Sequence, residues 1–88
     1  MPKLEKEVIV KNHQGLHARP AALFVQTVAK YNATVIVEKD SERVNGNSIM
    51  GILTLGAHQN SKIKLTVEGE DAEILLKELE EFFEKDAI

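Results

Sequence analysis

A strictly alternating run in the C-terminal third of the chain sets the strongest limit on its fold. Polar and apolar residues alternate from residue 62 to residue 68, with Ile63, Leu65 and Val67 on one side. A period of two residues is typical of a β-strand that buries one face and exposes the other to water. Such strands belong to sheets covered on one side only, which are usually antiparallel. The rest of the chain must then supply partner strands and covering helices.

Three further strands are predicted from shorter patterns. They cover residues 4–11, 33–39 and 42–45. Their expected inward residues are Val8, Val10, Val35, Val37 and Val44. Asp40 and Ser41 would join the last two strands as a hairpin, although serine is a weak choice for a type I′ turn because it resists positive φ.

Three helices are predicted between and after these strands. They lie within residues 21–29, 47–56 and 72–83. The first is expected to bury a stripe of mostly small residues, Ala18, Ala22, Val25 and Ala29. The second would be capped by Asn47 or Ser48 and would end before Gly56 in the C′ position. Asp71 would cap the third.

The predicted element order is βαββαβα, which indicates an α+β open-faced sandwich: a four-stranded antiparallel sheet covered on one face by helices. With 88 residues, the chain is expected to form one domain over residues 1–88. It contains no cysteine, which excludes disulfides, thiolate metal ligands and cysteine nucleophiles. No apolar run approaches the ~20 residues that span a bilayer, and no signal-peptide pattern is present, so we expect a cytoplasmic protein.

Acidic residues are concentrated towards the C-terminus. Of the fourteen acids, nine lie between Glu68 and Asp86, and none lies between Val8 and Val37. The N-terminal part is therefore neutral to basic, which suits a site for a dianionic phosphoryl group, although an ordinary charged surface helix explains the same distribution. The eleven basic residues form no basic stripe, so no nucleic-acid partner is expected.

The segment from Gly15 to Ala21 combines a turn, a histidine, an arginine and a helix start. Pro20 suits the first turn of a helix because its missing N–H would have no intrahelical partner there, which places His17 at or just before the helix N-terminus. The free N–H groups of the first turn and the guanidinium of Arg19 both favour an anion on His17. These residues suggest phosphate chemistry; a solvated helix cap is the competing interpretation.

This segment resembles the active-site segment of the HPr family, the histidine-containing phosphocarrier proteins of the bacterial phosphoenolpyruvate-dependent sugar phosphotransferase system. The family pattern Gly-(apolar)-His-Ala-Arg-Pro-Ala matches every position from Gly15 to Ala21. The resemblance implies phosphorylation of His17 on Nδ1, with Arg19 assisting, whereas the residues themselves do not choose between the two ring nitrogens. We expect a monomeric carrier without cofactor rather than an enzyme.

By the same resemblance, enzyme I phosphorylates His17, and the A domains of sugar-specific enzyme II proteins accept the phosphoryl group. The residues expected to bind these partners are Ala18, Leu23, Ile49, Met50 and Leu53. Ile52 and Leu55 suffice for the buried side of the short helix, so its other apolar residues are in surplus. The competing explanation is that one or two of them complete the core.

Ser48 is a second candidate site. Residues 48–51 resemble the regulatory serine segment of HPr proteins from low-GC Gram-positive bacteria, where an HPr kinase/phosphorylase modifies the serine. A phosphate there would add ~2 negative charges among the docking residues and inhibit phosphorylation of His17. The resemblance adds this kinase and a catabolite-control regulator as partners. Asn47 departs from the lysine common in those proteins, and a helix-capping role explains Ser48 equally well.

His13 and His58 raise the question of a metal site. His13 and His17 straddle a turn and a helix start and have no nearby cysteine or carboxylate ligand, so solvated loop histidines are the better explanation and no metal is expected. Two other functions remain open: a regulatory HPr paralogue that acts mainly as a protein-binding signal transducer, and a purely structural domain. The presence of both His17 and Arg19 favours the carrier.

Overall fold

The computed structural model describes residues 2–85, and its elements follow the predicted order. The strands are β1 (Lys3–Ile9), β2 (Thr34–Lys39), β3 (Glu42–Asn45) and β4 (Lys62–Glu68), and the helices are α1 (Ala18–Ala29), α2 (Ile49–Thr54) and α3 (Ala72–Glu84). All strand pairs are antiparallel, in the order β1-β4-β2-β3. The α+β prediction with βαββαβα order is confirmed. Asp86, counted above among the C-terminal acids, lies outside the described residues.

The sheet has one apolar face and one charged face, as the alternation in β4 predicts. Ile63, Leu65 and Val67 are fully buried, and the inward valines of β1 and β2 lie in register beside them. On the other face, one row across the four strands consists of Glu7, Lys64, Glu38 and Arg43. Opposite charges are therefore neighbours along this row, which suits a surface that faces water.

Helix α1 buries a different stripe from the predicted one. Its buried residues are Pro20, Ala21, Phe24 and Val28, whereas Ala18 and Ala29 are exposed and Ala22 and Val25 are half-buried. The predicted stripe is wrong because apolar residues surround most of this helix, so spacing alone does not select a face. The buried face is the one that carries the largest side chain of the helix. Phe24 packs edge to face against Phe82 and Phe83 of α3, with ring centroids 5.8 and 6.0 Å away.

Helix α1 begins at Ala18, directly after His17, as the position of Pro20 predicts. Two local features differ from expectation. Asp40 and Ser41 both have positive φ, 51° and 73°, as in the type I′ turn that serine was expected to resist. Asp71 stands at the N-cap of α3, but its carboxylate makes no cap hydrogen bond and instead accepts the N–H of Asn32 at 2.7 Å. None of the helices in residues 2–85 is long and apolar enough to cross a membrane.

Candidate functional site

His17 is the N-cap residue of α1, where the sequence places it. Its backbone is extended, its side chain makes no cap hydrogen bond, and its carbonyl accepts the N–H of Ala21 at 3.0 Å. Pro20 has no N–H to offer, so the free backbone donors at this helix start are the N–H groups of Ala18 and Arg19, which have no acceptor within residues 2–85. The helix thus presents two donors and its positive dipole end beside the imidazole.

The two ring nitrogens of His17 have different surroundings. Nε2 is buried and makes no hydrogen bond to any described residue. Nδ1 is not among the buried unpaired atoms, and no hydrogen bond within residues 2–85 occupies it. Of the two ring nitrogens, Nδ1 is therefore the one that keeps some exposure to solvent.

Arg19 is exposed and has no acidic partner within residues 2–85. The two lysines nearest to Arg19 in sequence do have acidic partners: Lys11 pairs with Glu84 at 2.8 Å, and Lys30 pairs with Glu78 at 3.1 Å. Arg19 also lines one end of a groove of about 580 Å³ between α1 and α3. Its guanidinium is therefore available to an incoming anion.

The loop that leads to His17 is held by hydrogen bonds within the loop and by one to a distant segment. Asn12 accepts the N–H of Gly15 with its carbonyl and the N–H of Gln14 with its Oδ1, each at 2.9 Å. Leu16 donates its N–H to the carbonyl of Ala57 at 2.8 Å. These contacts fix the backbone on the N-terminal side of the imidazole.

Gly15 is required in this loop for two reasons. Its φ of +75° lies in the region that L side chains rarely adopt, and a Cβ here would collide with the carbonyl oxygen of Ala57 and lie 2.8 Å from His58 Cα. The contribution of the loop between α2 and β4 is not predictable from the sequence, because no local pattern shows which distant backbone a glycine approaches.

Comparison with known proteins identifies the family. A family model described as PTS HPr component phosphorylation site matches residues 4–85. The chain belongs to the HPr family. Its relatives include the HPr-like protein Crh of Halalkalibacterium halodurans, 43% identical over 94% of this chain and 99% of that protein, and the phosphocarrier protein HPr of Xylella fastidiosa strain 9a5c, 41% identical over 92% and 91%. The crystal structure of HPr from Bacillus anthracis matches with a TM-score of 0.89 and 43% identity, over 94% of this chain and 99% of that one.

The HPr relatives are of two kinds at comparable identity. Some are named phosphocarrier proteins, and others are HPr-like proteins named Crh. The crystal structure of Crh from Bacillus subtilis, 35% identical with a TM-score of 0.76 over 97% of this chain and 98% of that one, is a domain-swapped dimer. Family membership therefore includes both carriers and HPr-like relatives.

The residues predicted to bind partners lie on α1 and α2, which pack against each other. Leu23, Ile49 and Met50 are 40%, 41% and 70% exposed. Ala18 is exposed as well. Leu53 is half-buried and packs against the core, so it contributes both to the core and to this exposed apolar surface. Ile52 and Leu55 are buried, as predicted.

Ser48, rather than Asn47, is the N-cap residue of α2. Its Oγ accepts the N–H of Gly51 at 2.9 Å, and its side chain is half-buried. Gly56 follows the C-terminal end of the helix with a φ of +62°, the C′ geometry expected from the sequence. Ser48 therefore sits directly before the exposed Ile49 and Met50.

The remaining histidines are placed apart from any metal-ligand cluster. His13 and His58 are exposed, and His58 Nδ1 lies 3.1 Å from the carbonyl oxygen of Gln59. Within residues 2–85, no group of three or more histidines and acids is arranged to hold a metal ion. The geometry of the described site is that of an anion acceptor built from imidazole, backbone N–H groups and a guanidinium.

Proposed function

We propose that residues 1–88 form one phosphocarrier domain of the phosphotransferase system. It accepts a phosphoryl group from phosphorylated enzyme I on Nδ1 of His17 and passes it to the A domains of enzyme II proteins. The observation that carries this proposal is the accessible Nδ1 at the start of a 12-residue helix, beside an arginine without an acidic partner in residues 2–85. Family membership supports the same role.

The site favours the product of the first transfer. The Nδ1 lone pair attacks phosphorus, a P–N bond forms, and the bond between phosphorus and the donor breaks. The free N–H groups of Ala18 and Arg19, together with the Arg19 guanidinium, donate hydrogen bonds to the phosphoryl oxygens. The phosphoryl group stays on an aromatic nitrogen, which leaves readily, so the second transfer proceeds to another partner.

The apolar surface beside the site supports protein docking. We define the docking surface as Ala18, Leu23, Ile49 and Met50, with Leu53 at its edge. Exposed apolar side chains gathered on two packed helices are typical of protein interfaces. One surface that serves both the donor and the acceptor makes their binding mutually exclusive, which suits a carrier that shuttles between them.

We propose Ser48 as a regulatory phosphorylation site for an HPr kinase/phosphorylase. A phosphate on its Oγ would place ~2 negative charges beside Ile49 and Met50 and weaken docking of partners that present acidic or phosphorylated surfaces. The modified form is then available to a catabolite-control regulator. A phosphomimetic Ser48→Asp variant should be labelled more slowly at His17 while its thermal unfolding is little changed; an unchanged labelling rate would count against this role.

A regulatory role without phosphoryl transfer is the second candidate, and the identity to Crh of Halalkalibacterium halodurans favours it. The carrier is preferred because the acceptor, the guanidinium and the free helix donors are all present. We propose a cytoplasmic monomer, whereas the Bacillus subtilis relative is a dimer. Sedimentation equilibrium at micromolar concentration distinguishes the two states: a dimer mass would overturn the monomer.

Labelling with phosphoenolpyruvate tests the carrier role. The protein is incubated with labelled phosphoenolpyruvate, Mg²⁺ and enzyme I, and then with an enzyme II A domain. We expect one acid-labile phosphoryl group that disappears when the acceptor is added. His17→Ala should abolish the label, and His13→Ala, a matched change at an exposed histidine, should retain it. No label on the wild type, or a label that survives His17→Ala, would contradict the proposal.

A further inference from the structure

We infer that Ser61 is a positioning residue for His17, an inference that rests on the proposed phosphoryl transfer. Ser61 lies immediately before β4, far from the active-site segment in sequence, and is 7% exposed. Buried hydroxyl groups in small domains need hydrogen-bond partners. The partners of Ser61 lead directly to the backbone before His17.

One peptide group connects Ser61 to the active-site loop. The Oγ of Ser61 accepts the N–H of His58 at 3.0 Å. The carbonyl of the same peptide group belongs to Ala57 and accepts the N–H of Leu16 at 2.8 Å. A peptide group is planar, so fixing the direction of its N–H also fixes the direction of its carbonyl. Ser61 thereby holds Leu16, the residue directly before His17.

The loop between α2 and β4, which contains Ser61, is itself anchored to Val10, the residue that follows β1. The carbonyl of Ser61 accepts the N–H of Val10 at 3.0 Å, the N–H of Asn60 donates to the carbonyl of Val10 at 2.7 Å, and the N–H of Ser61 donates to the carbonyl of His58 at 3.0 Å. These three bonds use backbone atoms only. The Oγ of Ser61 also lies 3.4 Å from Nδ1 of the exposed His58. Replacing the Ser61 side chain therefore leaves the backbone anchor in place and removes two contacts, the hydrogen bond to the peptide group between residues 57 and 58 and this contact to the His58 ring.

The expected consequence is a loss of catalytic geometry without a loss of docking. Phosphoryl transfer requires Nδ1 of His17 to lie in line with phosphorus, and small displacements of a reacting atom lower rates strongly. The docking surface lies on α1 and α2, and Ser61 makes none of its hydrogen bonds to those residues. Loss of the Ser61 hydroxyl should therefore lower kcat and leave KM unchanged.

Enzyme I assays with this protein as the phosphoryl acceptor test the inference. For Ser61→Ala we expect kcat to fall about tenfold, a size typical of a displacement well below 1 Å, with KM within about twofold of wild type. Ser61→Thr keeps the hydroxyl and should restore most of kcat. Ser41→Ala, which removes an exposed hydroxyl from the β2–β3 turn, is the matched control and should behave as wild type.

Amide hydrogen exchange provides a readout that does not depend on turnover. The Leu16 amide should exchange slowly in the wild type and at least tenfold faster in Ser61→Ala, while the Leu65 amide keeps its wild-type rate. A wild-type kcat in Ser61→Ala, a rise in KM alone, or rapid exchange of Leu16 in the wild type overturns the inference. The first two results leave the carrier role intact if the wild type is labelled; an unlabelled wild type overturns both.

Discussion

Two glycine substitutions separate backbone strain from the contact that supports His17. Gly15 and Gly56 have similar positive φ values, +75° and +62°. They differ in their surroundings: a Cβ at Gly15 would meet the backbone of Ala57 and His58, whereas a Cβ at Gly56 would have no heavy atom within 4 Å. Gly15→Ala and Gly56→Ala therefore share the cost of the left-handed conformation, and only the first disturbs the active-site loop.

The expected magnitudes follow from these two differences. An alanine in the left-handed region costs about 1–2 kcal/mol, so Gly56→Ala should lower the free energy of unfolding by that amount. At Gly15 the collision also forces Leu16 away from the carbonyl of Ala57, and one lost hydrogen bond adds about 1 kcal/mol. Gly15→Ala should therefore cost about 2–3 kcal/mol. In a domain of this size each kcal/mol lowers Tm by roughly 4–8 °C.

Thermal and urea denaturation of the two variants, followed by circular dichroism in the same buffer, measures this difference. Initial rates of His17 phosphorylation measured well below both Tm values give the functional counterpart, and only Gly15→Ala should be slowed. Equal destabilisation of the two variants, or a wild-type phosphorylation rate in Gly15→Ala, would refute the claim that the backbone contact positions His17.

Three further predictions concern the anion site, the docking surface and the cap of α2. Arg19→Lys keeps the charge but loses the planar fork of donors, so phosphorylation of His17 should slow about tenfold, equivalent to about 1.4 kcal/mol, with little change in Tm. Met50→Ala should raise KM for enzyme I with little effect on unfolding, whereas Ile52→Ala, at 1% exposure, should lower the free energy of unfolding by about 2–5 kcal/mol. Ser48→Ala removes the acceptor of the Gly51 N–H and should cost about 1 kcal/mol in urea denaturation, without slowing phosphorylation.

Each of these has a result that argues against it. A wild-type rate for Arg19→Lys would show that charge alone suffices. Equal destabilisation by Met50→Ala and Ile52→Ala would place Met50 in the core rather than at an interface. A Ser48→Ala variant as stable as wild type would mean that the cap hydrogen bond contributes nothing in water.

The sheet could be predicted from the sequence because the pattern that marks each strand lies within the strand itself. Alternation in β4 marks which side chains face the core, and Gly56 marks the end of α2 through a backbone preference of a single residue. The buried face of α1 was not predictable in this way. Its apolar residues surround most of the helix, and burial is decided by how much apolar area each face removes from water, which places Phe24 inward and leaves Ala18 exposed.

In the candidate site, too, the local part was predictable from the sequence and the contacts between distant segments were not. His17, Arg19 and Pro20 are adjacent in sequence, so the helix start that brings them together could be predicted from the residues. Ser61 acts through contacts with distant segments, and no sequence pattern specifies which carbonyl Leu16 will meet. The carboxylate of Asp71 shows the same limit, because it bonds to the backbone of a distant turn instead of capping its own helix.

The most direct test of the account is the identity of the phosphorylated atom. The protein is prepared with ¹⁵N-labelled histidine, phosphorylated by enzyme I and phosphoenolpyruvate, and examined by NMR for coupling between phosphorus and each imidazole nitrogen. We predict coupling to Nδ1 of His17, the ring nitrogen that is not fully buried. Coupling to Nε2 of His17, or to a nitrogen of His13 or His58, would contradict it.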